Sequence, residues 1–180
     1  MTSAQLLDQL DPSDGDANEK MIRKIRATGP DGIITLSVGS TDILPYIIDL
    51  FIPTHLPDVD TTLPMIHSIY AADTLPNIAG IFFWVNEYNP DADVFVMGFY
   101  NALVNYSDDP AEMYFLEQNI LLPANFGLYS TVTGLGATFV NVYGVVTSDM
   151  LPGDIHPNKD GYRAIGEAFV QMIREKKGIN

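Results

Sequence analysis

The chain has 180 residues, 47% of them hydrophobic, which suits one globular domain with a sizeable core. Lys and Arg total 9 against 23 Asp and Glu, and the resulting net charge of -14 repels phosphate backbones and argues against nucleic-acid binding. No cysteine is present, so disulfide and thiolate chemistry are excluded, and the longest apolar stretch, Ile78 to Val85 with Gly80 inside it, is too short for a membrane span.

Thr2 to Leu10 reads as a short helix, with Thr2 or Ser3 as its cap and Leu6, Leu7 and Leu10 as an apolar stripe. Pro12 and Gly15 mark Asp11 to Asp16 as a loop. A second helix is expected from Glu19 to Ala27, ended by Gly29-Pro30-Asp31-Gly32. Ile33 to Val38 is β-branched and nearly continuous in apolarity, as a buried parallel strand is, and it stops at Gly39. A helix from about Ile43 to Ile52 should follow, with a ragged first turn at Pro45 and a break at Pro53 and Pro57. Leu63 to Tyr88 reads as helix, in two pieces if Pro76 splits it.

Asp93 to Gly98 is the second expected strand, after the turn Asn89-Pro90-Asp91. Asn101 to Pro110 reads as a polar loop, Ala111 to Gly134 as helix broken near Pro123, and Ala137 to Val142 as the third strand. Thr147 to Pro157 is a loop, and Asn158 to Lys177 closes the chain as an amphipathic helix with Ile165, Ala168, Phe169, Met172 and Ile173 on its core face. Strands alternating with helices predict an α/β domain with a parallel sheet flanked by helices, and no repeat or linker divides it.

In such a sheet the site is expected beyond the carboxyl ends of the strands. Three stretches fall there: Gly39-Ser40-Thr41-Asp42, Phe99-Tyr100-Asn101, and the loop holding Asp149, Asp154 and His156. His156 is the obvious base, because a neighbouring carboxylate can hold its imidazole in one tautomer and stabilise its cation. His55, in a Pro-rich loop, and His67, in a helix, have no companion at useful spacing and read as structural or solvated.

The tail Asp154-Ile155-His156-Pro157-Asn158-Lys159-Asp160-Gly161-Tyr162-Arg163-Ala164-Ile165 resembles the last conserved block of the GDSL/SGNH hydrolases. Ile34 to Asp42, a strand ending in Gly39-Ser40-Thr41-Asp42, resembles their third block, whose pattern is Gly-x-Asn-Asp. Asn89 to Asn101 is similar to a strand and turn of the bacterial lipase-like branch, and Thr2 to Leu10 to the helix after the second block. The resemblance covers nearly the whole chain in order. It implies a three-layer SGNH/flavodoxin-like fold, an esterase or lipase-like activity on acyl esters without metal or cofactor, His156 and Asp154 as catalytic residues, and Gly39 and Thr41 in the oxyanion region.

Four departures accompany the resemblance. The family's strand ending in Gly-Asp-Ser, which carries the nucleophile, has no counterpart here, and Ser3 is no substitute at a helix cap without a preceding strand. The second-block glycine is missing as well. Thr41 stands where the family has an asparagine, and loss of one oxyanion donor costs about 10²–10³ in rate. Gly153 stands where the family's acid is found, so Asp154 is the expected acid and Asp149 the reserve. The resemblance thus implies the later part of the fold, inactive by itself, with any export signal upstream. A non-catalytic acyl- or sugar-binding module, or a subunit completed by a partner, is the alternative. The strand Ile33 to Val38 would then present an unpaired edge without lysine or proline, open to self-association or to an added strand.

Overall fold

The computed structural model describes residues 1–13, 15, 17–51 and 59–179. His55, Ile52 and the expected helix break at Pro53 and Pro57 lie outside them.

Helix α1 spans Ser3–Leu10, and Thr2 is its cap. The Thr2 hydroxyl accepts from the Gln5 N–H at 3.2 Å while the Gln5 side chain accepts from the Thr2 N–H at 2.9 Å, so each residue satisfies a free donor of the first turn. Helix α2, Glu19–Ala27, is capped by Asn18. Strand β1 covers Ile33–Leu36, and helix α3 runs Ser40–Phe51, starting earlier than Pro45 suggested. Helices α4, Val59–Ile69, and α5, Leu75–Tyr88, lead into strand β2, Asp93–Met97. Helices α6, Pro110–Leu116, and α7, Leu122–Gly134, lead into strand β3, Thr138–Val140. Helix α8, Lys159–Lys177, ends the fold, with the Asn158 side chain accepting from the N–H groups of Asp160 and Gly161.

The expected breaks at Pro76 and Pro123 take an unexpected form. Each proline is preceded by a π-helical turn, Tyr70–Thr74 before Pro76 and Glu117–Leu121 before Pro123. A proline brings no N–H and its ring crowds the carbonyl four residues back. The wider turn absorbs this without stopping the helix, since Leu75 N–H reaches Tyr70 O and Leu122 N–H reaches Glu117 O. Asn119 O, four residues before Pro123, gains another donor: His67 Nε2 lies 2.7 Å from it. The carbonyl can only accept, so the ring nitrogen donates. His67 thus has a structural task.

All three strands are parallel, in the order β1-β2-β3. Ile33 pairs with Asp93 and Thr35 with Phe95; Phe95 pairs in turn with Thr138, and Met97 with Val140. The strands are shorter than the apolar runs that announced them, but each lies inside its predicted range. One face of the sheet, presenting Ile34, Leu36, Val94, Val96 and Phe139, packs into the larger core with residues of α1 to α7. The other face presents Phe95, Met97 and Val140 to Ile165, Phe169 and Met172 of α8. The chain is therefore an α/β domain with a small parallel sheet between helices.

Candidate functional site

The carboxyl ends of β1 and β2 open into a cavity of about 210 Å³. Ser40 and Thr41 line it from the start of α3, Asn101 from the loop after β2, and His156 from the loop before α8. Two of the residues singled out in the sequence, Thr41 and His156, therefore meet at one cavity although 115 positions separate them in the numbering of the chain.

Gly39 makes the turn from β1 into α3. Its φ of 98° is one that other residues rarely adopt, and a Cβ there would stand 3.3 Å from both Phe99 Cζ and Thr74 Cγ2. Gly39 is buried and is not among the residues lining the cavity; its role in the structure is to aim Ser40 and Thr41. Pro45 has no N–H to return to the Thr41 carbonyl, so the first turn of α3 is held from elsewhere. Asp42 supplies part of that hold. Its carboxylate accepts from the Ser3 N–H at 3.1 Å and from the Ser3 hydroxyl at 2.7 Å, placing a negative charge at the positive end of α1. Ser3 is 0% exposed and also accepts from Asn77 Nδ2, so it is a buried joint between α1, α3 and α5 and no part of the cavity.

The loop after β2 is fixed by Asn125. Its Oδ1 accepts from the Phe99 N–H at 2.8 Å, and its Nδ2 donates to Phe99 O at 3.0 Å and Leu121 O at 3.1 Å. Gly98 is required beneath it, because a Cβ would come within 2.7 Å of Asn125 Oδ1 and 2.6 Å of Phe139 Cζ. Sequence reasoning passes over Asn125, since a polar residue in mid-helix gives no local sign of which loop it will clamp. Asn101 follows in the same loop. Its Oδ1 accepts from the Leu103 N–H at 3.0 Å, which fixes the side chain, and Asn101 lines the cavity together with Thr41 and His156.

The loop before α8 carries His156. The His156 N–H donates to Asp154 Oδ1 at 2.7 Å, and His156 Nδ1 lies 3.2 Å from the same oxygen. With the proton on Nδ1, this contact leaves the Nε2 lone pair to accept a proton. The backbone bond first, and then the ring contact, hold the Asp154 carboxyl below the usual carboxylate range. Both side chains are exposed, 67% for His156 and 63% for Asp154, so water screens the pair. Asp149 accepts instead from the Thr147 hydroxyl and makes no bond to His156. Two tethers hang this loop from the one after β2. The Tyr100 hydroxyl donates to Ile155 O at 2.9 Å, and Asn105 Nδ2 donates to Ser148 O at 2.8 Å and to Leu151 O at 2.7 Å. Burial raises the Tyr100 phenol above its ordinary pKa, with Tyr162 and Asp154 adding to the effect, so it stays a neutral donor.

Among the described residues no group of three or more acidic or His side chains is arranged to hold a metal ion, and no helix is long and apolar enough to cross a membrane. An imidazole, an amide and two hydroxyls line the same cavity. No family model matches the chain, and no curated protein matches it.

Proposed function

We propose that this chain is the acyl-binding and acid–base part of a GDSL/SGNH-type ester hydrolase. The observation that carries the reading is the meeting of His156, oriented by Asp154, with Thr41 and Asn101 at a single cavity beyond the strand ends. In the reaction a hydroxyl attacks the ester carbonyl as His156 Nε2 takes its proton. The imidazolium formed is stabilised by Asp154. The carbonyl oxygen becomes an oxyanion, for which the Thr41 hydroxyl and the Asn101 amide are the donors at hand. His156 then returns the proton to the departing alcohol, and water releases the acyl group by the same steps in reverse. Asn101 answers the replacement of the family's asparagine by Thr41: an amide reaches further than a threonine hydroxyl and offers two donors.

Among the described residues His156 bonds to Asp154 alone, so no hydroxyl stands bonded to it as a nucleophile. These residues by themselves are expected to hydrolyse p-nitrophenyl butyrate no faster than the His156→Ala variant does. A rate abolished by both His156→Ala and Ser40→Ala would place the nucleophile at Ser40. A rate abolished by Ser40→Ala and untouched by His156→Ala would end the reading.

The second reading is an acyl-binding module without catalysis. Thr41 in the oxyanion region and the open exposure of His156 and Asp154 favour it. Binding of an uncleavable amide without movement of the His156 ring resonances would select this module over the hydrolase.

A further inference from the structure

We propose that a second cleft, between α4, α7 and the two π turns, binds a small apolar amine in its protonated form. The site is independent of the ester-hydrolase reading.

The cleft measures about 240 Å³, below the ~300–1,000 Å³ of sites that enclose drug-sized molecules, so a fragment-sized ligand suits it. Among its lining residues Ile43, Ile66, Tyr70 and Ile120 are buried, and His67, Ala71 and Pro123 are exposed. Gly127 lets α7 approach Tyr70, since a Cβ there would stand 3.2 Å from Tyr70 Cε1.

The polar groups of this lining accept hydrogen bonds and have no proton to spare. The Tyr70 hydroxyl donates to Ala124 O at 2.7 Å. His67 Nε2 donates to Asn119 O, so in the neutral ring Nδ1 is an acceptor. The Ala71 carbonyl is freed by the π turn and the proline together. The Leu75 N–H, which an α turn would give to Ala71 O, goes to Tyr70 O, and Pro76 has no N–H to offer. A ligand held here must bring its own donors. A carboxylate has none, whereas a primary ammonium has three.

Charge points the same way. All nine Lys and Arg lie on α2 and α8. The buried residues of the cleft belong to the core on one face of the sheet and α8 packs on the other, while α2 packs against α1 and α5. On α3, α4, the two π turns and α7, apart from the titratable His67, every charged side chain is acidic: Asp42, Asp49, Asp60, Asp73 and Glu117. A field of one sign around an apolar recess concentrates cations and repels anions.

The test is NMR titration of the 180-residue chain at neutral pH with probes that share one apolar body: 2-phenylethylamine, 2-phenylethanol and phenylacetate. Ethylamine controls for attraction to the net negative charge. The aromatic amine should bind at least ten-fold more tightly than phenylacetate and than ethylamine, with 2-phenylethanol between, and should shift the Gly127 N–H and the His67 ring resonances. Ala71→Trp, a change at an exposed lining position, should abolish these shifts. If that variant does not fold, the wild-type series and the location of its shifts decide. Phenylacetate binding as tightly as the amine, ethylamine matching it, shifts that spare Gly127 and His67, or binding unchanged in a folded Ala71→Trp would each overturn the proposal, as would no binding at all.

Discussion

The two flanks of the sheet are built unequally. On the β3 flank, Phe95, Val140 and Val142 are fully buried against Ile165 of α8 and against Val146 and Leu151 of the preceding loop. On the β1 flank the same face carries Ile33 and Thr35, which share that face because they pair with Asp93 and Phe95. Ile33 is 40% exposed, and Thr35 is exposed as well. Among the described residues α8 packs its apolar face against Phe95 and Val140 and reaches the β1 side through Lys177, which bonds to the Asp31 carbonyl and pairs with Asp93, and β1 pairs on one side only. A parallel strand is usually buried on both faces and both edges. The covered flank carries the His156 loop, and the bare one leads directly into Ser40 and Thr41. The cavity therefore joins a stably packed wall to one whose supporting strand is only half enclosed.

The largest expected effect is on stability. Phe95→Ala should cost about 3–5 kcal/mol, because it removes a fully buried ring from the centre of the sheet. Ile33→Ala, on the same face, should stay within about 0.5 kcal/mol. Urea unfolding of both variants measures the difference. Comparable losses would mean that Ile33 is covered in solution.

Next in size is association. Among the described residues the second edge of β1 pairs with no strand, it lies beside an exposed isoleucine, and Ile33 to Val38 contains no lysine or proline to protect it. Light scattering should show species above the monomer mass that grow with salt, as the net charge of -14 is screened. Thr35→Lys should restore the monomer. A monomer at all salt concentrations, with a cooperative melt, would make the half-enclosed strand self-sufficient.

The smallest effect concerns the loop of the covered flank. The Asp154 carboxyl is held below its ordinary range, chiefly by the His156 N–H. A depressed carboxylate contributes stability above its unfolded pKa, and the contribution fades as pH falls through the folded value. The contact between Asp154 and His156 should therefore loosen only in acid, below the usual aspartate range. In His156→Ala the backbone bond persists, so most of the lowering should persist too, as NMR titration of the Asp154 carboxyl would show. A return to the ordinary aspartate value would mean that the ring contact was the main cause.

Much of this architecture was legible in the residues. The three strands were recognisable because parallel strands are β-branched and continuous in apolarity, and Ile33 to Val38, Asp93 to Gly98 and Ala137 to Val142 each contain the observed one, although β1 is half-exposed where a buried strand was expected. The closing helix and the stretches at the strand ends could be read from periodicity and from the βα alternation. Bond partners were a different matter. Asp154 and Asp149 were both candidate neighbours of His156 until the Thr147 hydroxyl engaged one and the His156 backbone the other. His67 offered no sign that it would serve the carbonyl left by Pro123, nor Asn125 that it would clamp Phe99, because these contacts join residues far apart in the chain. Local composition determines which segments become strands or helices, since it acts through neighbouring residues. Which side of the sheet is covered, which carboxylate meets the imidazole and which side chains line the cavity were decided only when the helices packed, because long-range contacts depend on the position of every intervening turn.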